Sequence, residues 1–109
     1  GSLLEGFVIM EIIKQLGWSD TRATPMHFRD HAGNEVDLVL EAPDGSVVGV
    51  EIKASASVGS SDFKGLRSFA ALAGSDFRHG VVLYAGNEVV SFAENLQAAP
   101  IRALWEAEG

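Results

Sequence analysis

Two runs of alternating residues flank Pro43-Asp44-Gly45, and they restrict the fold of this chain more than any other stretch. Val36, Leu38 and Leu40 alternate with Glu35, Asp37, Val39 and Glu41. Val48, Val50 and Ile52 alternate with Val47, Gly49, Glu51 and Lys53. This two-residue period is that of half-buried β-strands. Proline suits the second position of a type I turn, and glycine tolerates the left-handed residue that closes it. A loop of these three residues sets Ala42 opposite Ser46. Leu38 then faces Val50, and Val36 faces Ile52, on one side of a hairpin. Asp37 faces Glu51, and Glu35 faces Lys53, on the other. A slip of one residue would turn the charges onto the core, so turn and pattern support one register.

Directly opposed side chains have Cβ atoms roughly 4.5–5.5 Å apart. Two carboxylates at that separation repel unless a positive charge sits between them. A divalent cation supplies one, and Lys53 supplies another. The plainer reading is a solvated outer face with Glu35 and Lys53 as a cross-strand ion pair. Against it stands the direct Asp37–Glu51 opposition, which a purely structural face tends to avoid.

A chain of 109 residues, 47% of them hydrophobic, predicts a single globular domain over residues 1–109. It has no cysteine, which rules out a disulfide framework and thiolate metal sites and fits a cytoplasmic location. No apolar run approaches the roughly 20 residues of a membrane-spanning helix. The net charge of −7, from 15 acidic and 8 basic residues, disfavours nonspecific nucleic-acid binding by bulk electrostatics. A local basic path remains compatible with it. The opening Gly1-Ser2 reads as a cloning remnant or as native sequence, and a helix that starts at once fits a domain excised from a longer chain.

Leu4, Phe7, Val8, Ile12 and Leu16 predict an amphipathic helix over residues 3–16, stopped by Gly17. Glu5 lies in its first turn, where an acid ordinarily complements the helix dipole. Residues 18–24 connect to a short strand over 25–29 and a turn over 30–34. His27 and His31 invite a metal reading, but their spacing on a strand and turn is not a ligand pattern by itself. Residues 57–61 form a small polar linker in which Ser60 or Ser61 caps a second helix, with Asp62 in its first turn. That helix runs to about Ala73, ends at Gly74, and buries Phe63, Leu66, Phe69, Ala70 and Ala73. Lys64 and Arg67 share one of its faces, as phosphate contacts or, more commonly, as solvated charges. The continuous apolar run 80–84 predicts a central strand buried on both faces. A second strand over 88–92 follows a turn at Ala85-Gly86-Asn87, and a short helix over 100–106 packs Leu104 and Trp105. No Gly-Lys-Ser/Thr phosphate loop occurs, and no serine–histidine pairing stands out. The order predicts an α/β fold with a mixed sheet.

Several stretches together carry a family resemblance: Leu3-Leu4-Glu5-Gly6-Phe7-Val8, His27-Phe28-Arg29, Gly33-Asn34-Glu35-Val36-Asp37 and Val50-Glu51-Ile52-Lys53-Ala54-Ser55. It continues through Asp62-Phe63-Lys64-Gly65-Leu66, Gly80-Val81-Val82-Leu83-Tyr84 and residues 100–105. In order and spacing these resemble the PD-(D/E)xK, or restriction-endonuclease-like, superfamily. More closely, they resemble the C-terminal nuclease-like domain of prokaryotic AAA-type ATP-binding proteins, a domain of unknown function. The resemblance implies a restriction-endonuclease-like mixed sheet flanked by helices. It implies Asp37 and Glu51 as metal carboxylates, Glu5 as the helix-borne acid completing the site, and Lys53 as the residue that orients water or steadies charge on a phosphate. Lys64 and Arg67 would be possible phosphate contacts. Val36 stands where the motif's name has proline, a position without chemistry.

Mg²⁺ and Mn²⁺ take hard oxygen ligands, keep several waters and suit such a carboxylate set. Three function classes follow. The first is a Mg²⁺- or Mn²⁺-dependent hydrolase of nucleic-acid phosphodiesters, with DNA as the expected partner. The second is a catalytically silent nuclease fold that serves as an interaction or regulatory module of a P-loop ATPase absent from this chain. The third is a plain soluble α/β domain with a charged hairpin. The acid–acid–lysine set favours the first, and the scarcity of basic residues favours the second.

Overall fold

The computed structural model describes residues 24–101, with side chains from Met26 onward. The expected helices over 3–16 and, but for its first two residues, 100–106 lie outside this range, and so does Glu5. Six strands form one mixed sheet in the order β1-β2-β3-β4-β6-β5. The strands are β1 (Thr24–Arg29), β2 (Glu35–Glu41), β3 (Val47–Lys53), β4 (Phe77–Tyr84), β5 (Val90–Ala93) and β6 (Leu96–Pro100). The pairs β1/β2, β2/β3 and β5/β6 are antiparallel, whereas β3/β4 and β4/β6 are parallel. A parallel pair needs a crossover, and a 3₁₀ turn (Ser60–Phe63) running into helix α1 (Lys64–Ala73) provides it between β3 and β4.

The β2–β3 turn has the expected form. Ala42 N donates to Ser46 O at 2.9 Å, Gly45 N donates to Ala42 O at 2.9 Å, and Gly45 has φ of 91°. Leu38 pairs with Val50, Val39 with Gly49, Leu40 with Val48 and Glu41 with Val47. The register read from the alternation is therefore present at the turn end of the hairpin.

It does not persist to the far end. The β2/β3 ladder stops at Leu38–Val50. On the other side of β2, Met26 pairs with Val39 and Phe28 with Val36, so the single residue His27 stands against Asp37 and Leu38. That is a β-bulge, and the extra residue reverses the side-chain alternation beyond it. Val36 consequently turns into the core beneath α1, where a Cβ on Gly49 would lie 3.3 Å from Val36 Cγ1. The expected pairing of Val36 with Ile52 on the face of Leu38 and Val50 is lost, and Ile52 is left 45% exposed.

Helix α1 lies on one face of the sheet. Phe63, Leu66 and Phe69 are buried there with Val36, Val39, Val82 and Leu96, and Phe69 meets Phe28 tilted and Phe77 edge-on, with ring centroids 5.1 and 6.0 Å apart. Two glycines permit the close approach. A Cβ on Gly49 would sit 2.6 Å from Leu66 Cδ2, and one on Gly65 would sit 1.9 Å from the backbone oxygen of Glu35. The opposite face buries Val48, Val50 and Leu83, with Leu38, Val81, Ala99 and Ile101 packed against them. β4 is interior to the sheet, as its apolar run predicts.

Two local expectations are corrected. Gly59, not Ser60 or Ser61, stands at the N-cap of the 3₁₀ turn. Residues 96–100 form a strand, β6, so Pro100 ends a strand instead of opening a helix; it pairs with Tyr84, and Ile101 N continues the ladder to Tyr84 O at 2.9 Å. Among the described residues only one α-helix accompanies the sheet, so the α/β class holds with α1 on a single face.

Candidate functional site

The bulge and the end of the β2/β3 ladder coincide at Asp37. Where a regular hairpin would continue with backbone pairs, two carboxylates take over. Asp37 N donates to Glu51 Oε1 at 2.5 Å, and Ile52 N donates to Asp37 Oδ2 at 2.9 Å. Each acid thus caps an amide of the other strand, and backbone donors are among the groups a chain must satisfy. The arrangement brings Asp37 and Glu51 together across the hairpin, as the turn register requires. Each spends one oxygen on a backbone amide, which leaves Oδ1 of Asp37 and Oε2 of Glu51 to serve another ligand.

The electrostatics record this crowding. Burial pushes the Glu51 carboxyl up from its ordinary value of 4.5, against the Asp37 amide, which favours the ionised form. The charges on Asp37 and then Glu35 push it further up, and His27 pulls it back. Like charges close together and partial desolvation both disfavour the carboxylate. His27 therefore belongs to the surroundings of Glu51, and the bulge is what places it beside Asp37. The spacing of His27 and His31 gave no sign of this; His31 lies exposed in the 30–34 turn.

Glu51 and Lys53 neighbour Val82 and Tyr84 in the parallel β3/β4 ladder, and both of those residues belong to the core on the α1 side. Glu51 and Lys53 therefore point to the helix side of the sheet. Lys53 does not pair with Glu35. Its Nζ lies 2.7 Å from Asp62 Oδ2, with the two side chains 33% and 22% exposed. Glu35 turns instead to Arg29, at 3.5 Å and with both side chains well exposed, an arrangement that contributes little. Asp62 also accepts from Gly59 N at 2.8 Å, while Asp62 N donates to Gly59 O at 3.0 Å. Lys53 first, and the Gly59 amide second, hold the Asp62 carboxyl below its usual range. In the sequence Asp62 reads as a dipole-complementing acid; its first-turn position was legible, but its grip on Lys53 was not.

Lys64 and Arg67 are exposed on α1. Arg67 Nη1 donates to Ser60 O at 3.3 Å, and among the described residues neither side chain pairs with Asp37 or Glu51. They are surface charges near the start of α1, and the structure does not draw them into the carboxylate pair. Glu5 lies outside the described residues. Among the described residues, no group of three or more histidine, aspartate or glutamate side chains is close enough to hold a metal ion. Two carboxylates are present, and Mg²⁺ is commonly held by one or two carboxylates with water and substrate phosphate completing its shell. The donor set fits such an ion in chemistry while supplying only part of its coordination.

No described helix is long and apolar enough to cross a membrane. Comparison with known proteins gives one family. The model of DUF4143, a domain of unknown function, matches residues 1–104, and the chain belongs to that family. No curated protein and no solved structure matches it.

Proposed function

We propose that this DUF4143 domain is a divalent-metal-dependent hydrolase of nucleic-acid phosphodiesters, with DNA as its substrate, built on a restriction-endonuclease-like fold. The observation that carries the reading is the meeting of Asp37 and Glu51 at the bulge, with Lys53 on the strand that carries Glu51. Two acids held this close, one of them partly desolvated, form a site whose repulsion a cation would relieve. The expected helix-borne acid, Glu5, would complete the ligand set. When bound, Mg²⁺ or Mn²⁺ would supply an activated water and charge neutralisation at the phosphate. Asp37 and Glu51 would orient that ion through the oxygens not given to backbone amides. Lys53 is no ligand: its ammonium would stabilise negative charge developing on the phosphoryl oxygens.

Cleavage of fluorescent duplex and single-stranded DNA, with Mg²⁺, Mn²⁺ or chelator, tests the proposal. Metal-dependent cleavage is expected. Losing Lys53 should cost on the order of 10²–10³ in rate while metal binding persists, since one preorganised electrostatic donor is worth that much. Equal cleavage by the wild type and Lys53→Ala would assign the activity to a contaminant and overturn the proposal.

A second reading is favoured by the charge balance. With −7 overall, the chain offers little attraction to a polyanion. A fold of this kind that binds metal without cleaving would act as an interaction or regulatory module of an AAA-type ATPase. Cation binding without turnover on either DNA form is the result that selects it.

A further inference from the structure

We infer that Asp62 is the positioning residue for Lys53, holding its ammonium in place for the phosphodiester chemistry. This rests on the hydrolytic reading of Asp37, Glu51 and Lys53. A lysine is a compact charge on a long stem with many rotamers, and a charge that wanders stabilises no particular transition state. Here the stem rises from β3 on the helix side, and its Nζ meets Asp62 Oδ2 at 2.7 Å. Asp62 is itself fixed. The same oxygen accepts from Gly59 N at 2.8 Å, and Asp62 N donates to Gly59 O at 3.0 Å. The turn that carries Asp62 is seated by Phe63, which is fully buried and has its ring centroid 4.5 Å from that of Phe92. Helix α1 follows directly and lies against the Glu35 backbone at Gly65. The ammonium is thus tied, through one carboxylate, to the helix that packs beside the carboxylate strands. A lysine ammonium has three N–H donors, and the bond to Asp62 leaves others for a phosphate. Among the described residues Asp62 bonds to Lys53 and Gly59 and to neither Asp37 nor Glu51, so its effect passes through Lys53.

Asp62→Asn and Asp62→Ala separate this role from the cap. Asparagine still offers an oxygen to Gly59 N but no charge to Lys53; alanine offers neither. Three quantities are measured on the whole chain: kcat and KM for Mn²⁺-dependent cleavage of duplex DNA, melting temperature, and the NMR relaxation of the Lys53 side-chain methylenes. For Asp62→Asn we expect a near-native melting temperature, mobile Lys53 methylenes and a kcat lower by about tenfold or more, with KM little changed. Asp62→Ala should show the same changes enlarged, together with a lower melting temperature. Lys53 methylenes as rigid in Asp62→Asn as in wild type would overturn the proposal, as would an undiminished kcat in that variant. If the wild type cleaves nothing, the hydrolytic reading fails by itself. The relaxation data then still decide whether Asp62 holds Lys53.

Discussion

Asp37 and Glu51 exchange their carboxylates for backbone bonds across the hairpin: Glu51 Oε1 takes the Asp37 amide at 2.5 Å, and Asp37 Oδ2 takes the Ile52 amide at 2.9 Å. The two side chains take over where the β2/β3 ladder stops, beside the bulge in the β1/β2 ladder. They close the gap between β2 and β3 and concentrate negative charge at one point of the sheet. The cost of that charge is measurable.

Removing one charge should stabilise the metal-free protein. Glu51 has its midpoint raised above 4.5, so the folded chain binds this proton more tightly than the unfolded chain does. By linkage the ionised group costs stability at pH values above the raised midpoint, and the cost vanishes on the acid side of 4.5. Glutamine at this position keeps an oxygen for the Asp37 amide. Glu51→Gln should raise stability at neutral pH and leave it unchanged on the acid side of 4.5. Chemical denaturation at neutral and acid pH reads both ends; a gain that is equal at both would show that charge is not the cause.

The seat of α1 against the site depends on Gly65. A methyl group there would lie 1.9 Å from the Glu35 carbonyl oxygen, which is backbone and cannot rotate away. Gly65→Ala should destabilise by about 3 kcal/mol, the upper end of what overpacking costs. Ala71→Gly, at an exposed position of the same helix, serves as the comparison and should cost about 1 kcal/mol. Denaturant midpoints check both. A near-neutral Gly65→Ala would mean that α1 can lift from β2.

Acid should loosen the β1–β2 turn. Asp30 accepts from Ser68 Oγ and Asn34 Nδ2 as well as from the Ala32 and Asn34 amides, and its carboxyl is held at about 2, with Ser68 the largest cause. A depressed midpoint stabilises above the ordinary value of 3.8, and that contribution is lost as pH falls toward about 2. Ser68→Ala should lower stability at neutral pH and flatten its loss between those two values. Thermal melts across that range give the slope, and parallel curves for the two proteins would remove Asp30 from the account.

The parts of this fold that were legible in the sequence are those where period and punctuation agree. Pro43-Asp44-Gly45 with its flanking alternation gave the register from Leu38–Val50 to Glu41–Val47, and the apolar run around Val82 gave the interior strand. The bulge was not legible. No glycine marks it, and beside it the Asp37 side chain reaches Ile52 N across to β3, which alternation cannot reveal. The expected partner of Lys53 was Glu35, and the structure gives it Asp62 instead. Cross-strand pairing predicts nearest neighbours on a sheet, whereas Asp62 reaches Lys53 from the crossover above it. β6 was missed because Gln97, Ala98 and Ala99 have weak strand preference and Pro100 resembles a helix start. His27 comes beside Asp37 only through the bulge.

The central claim is that Asp37 and Glu51 form one cation site, and calorimetric titration with Mn²⁺ tests it most directly. The wild type should bind one ion, and Asp37→Ala should bind at least about tenfold more weakly, since a carboxylate ligand and its share of the coordination are lost. Equal affinity in the two proteins, or a wild type that takes up no Mn²⁺, would contradict the claim.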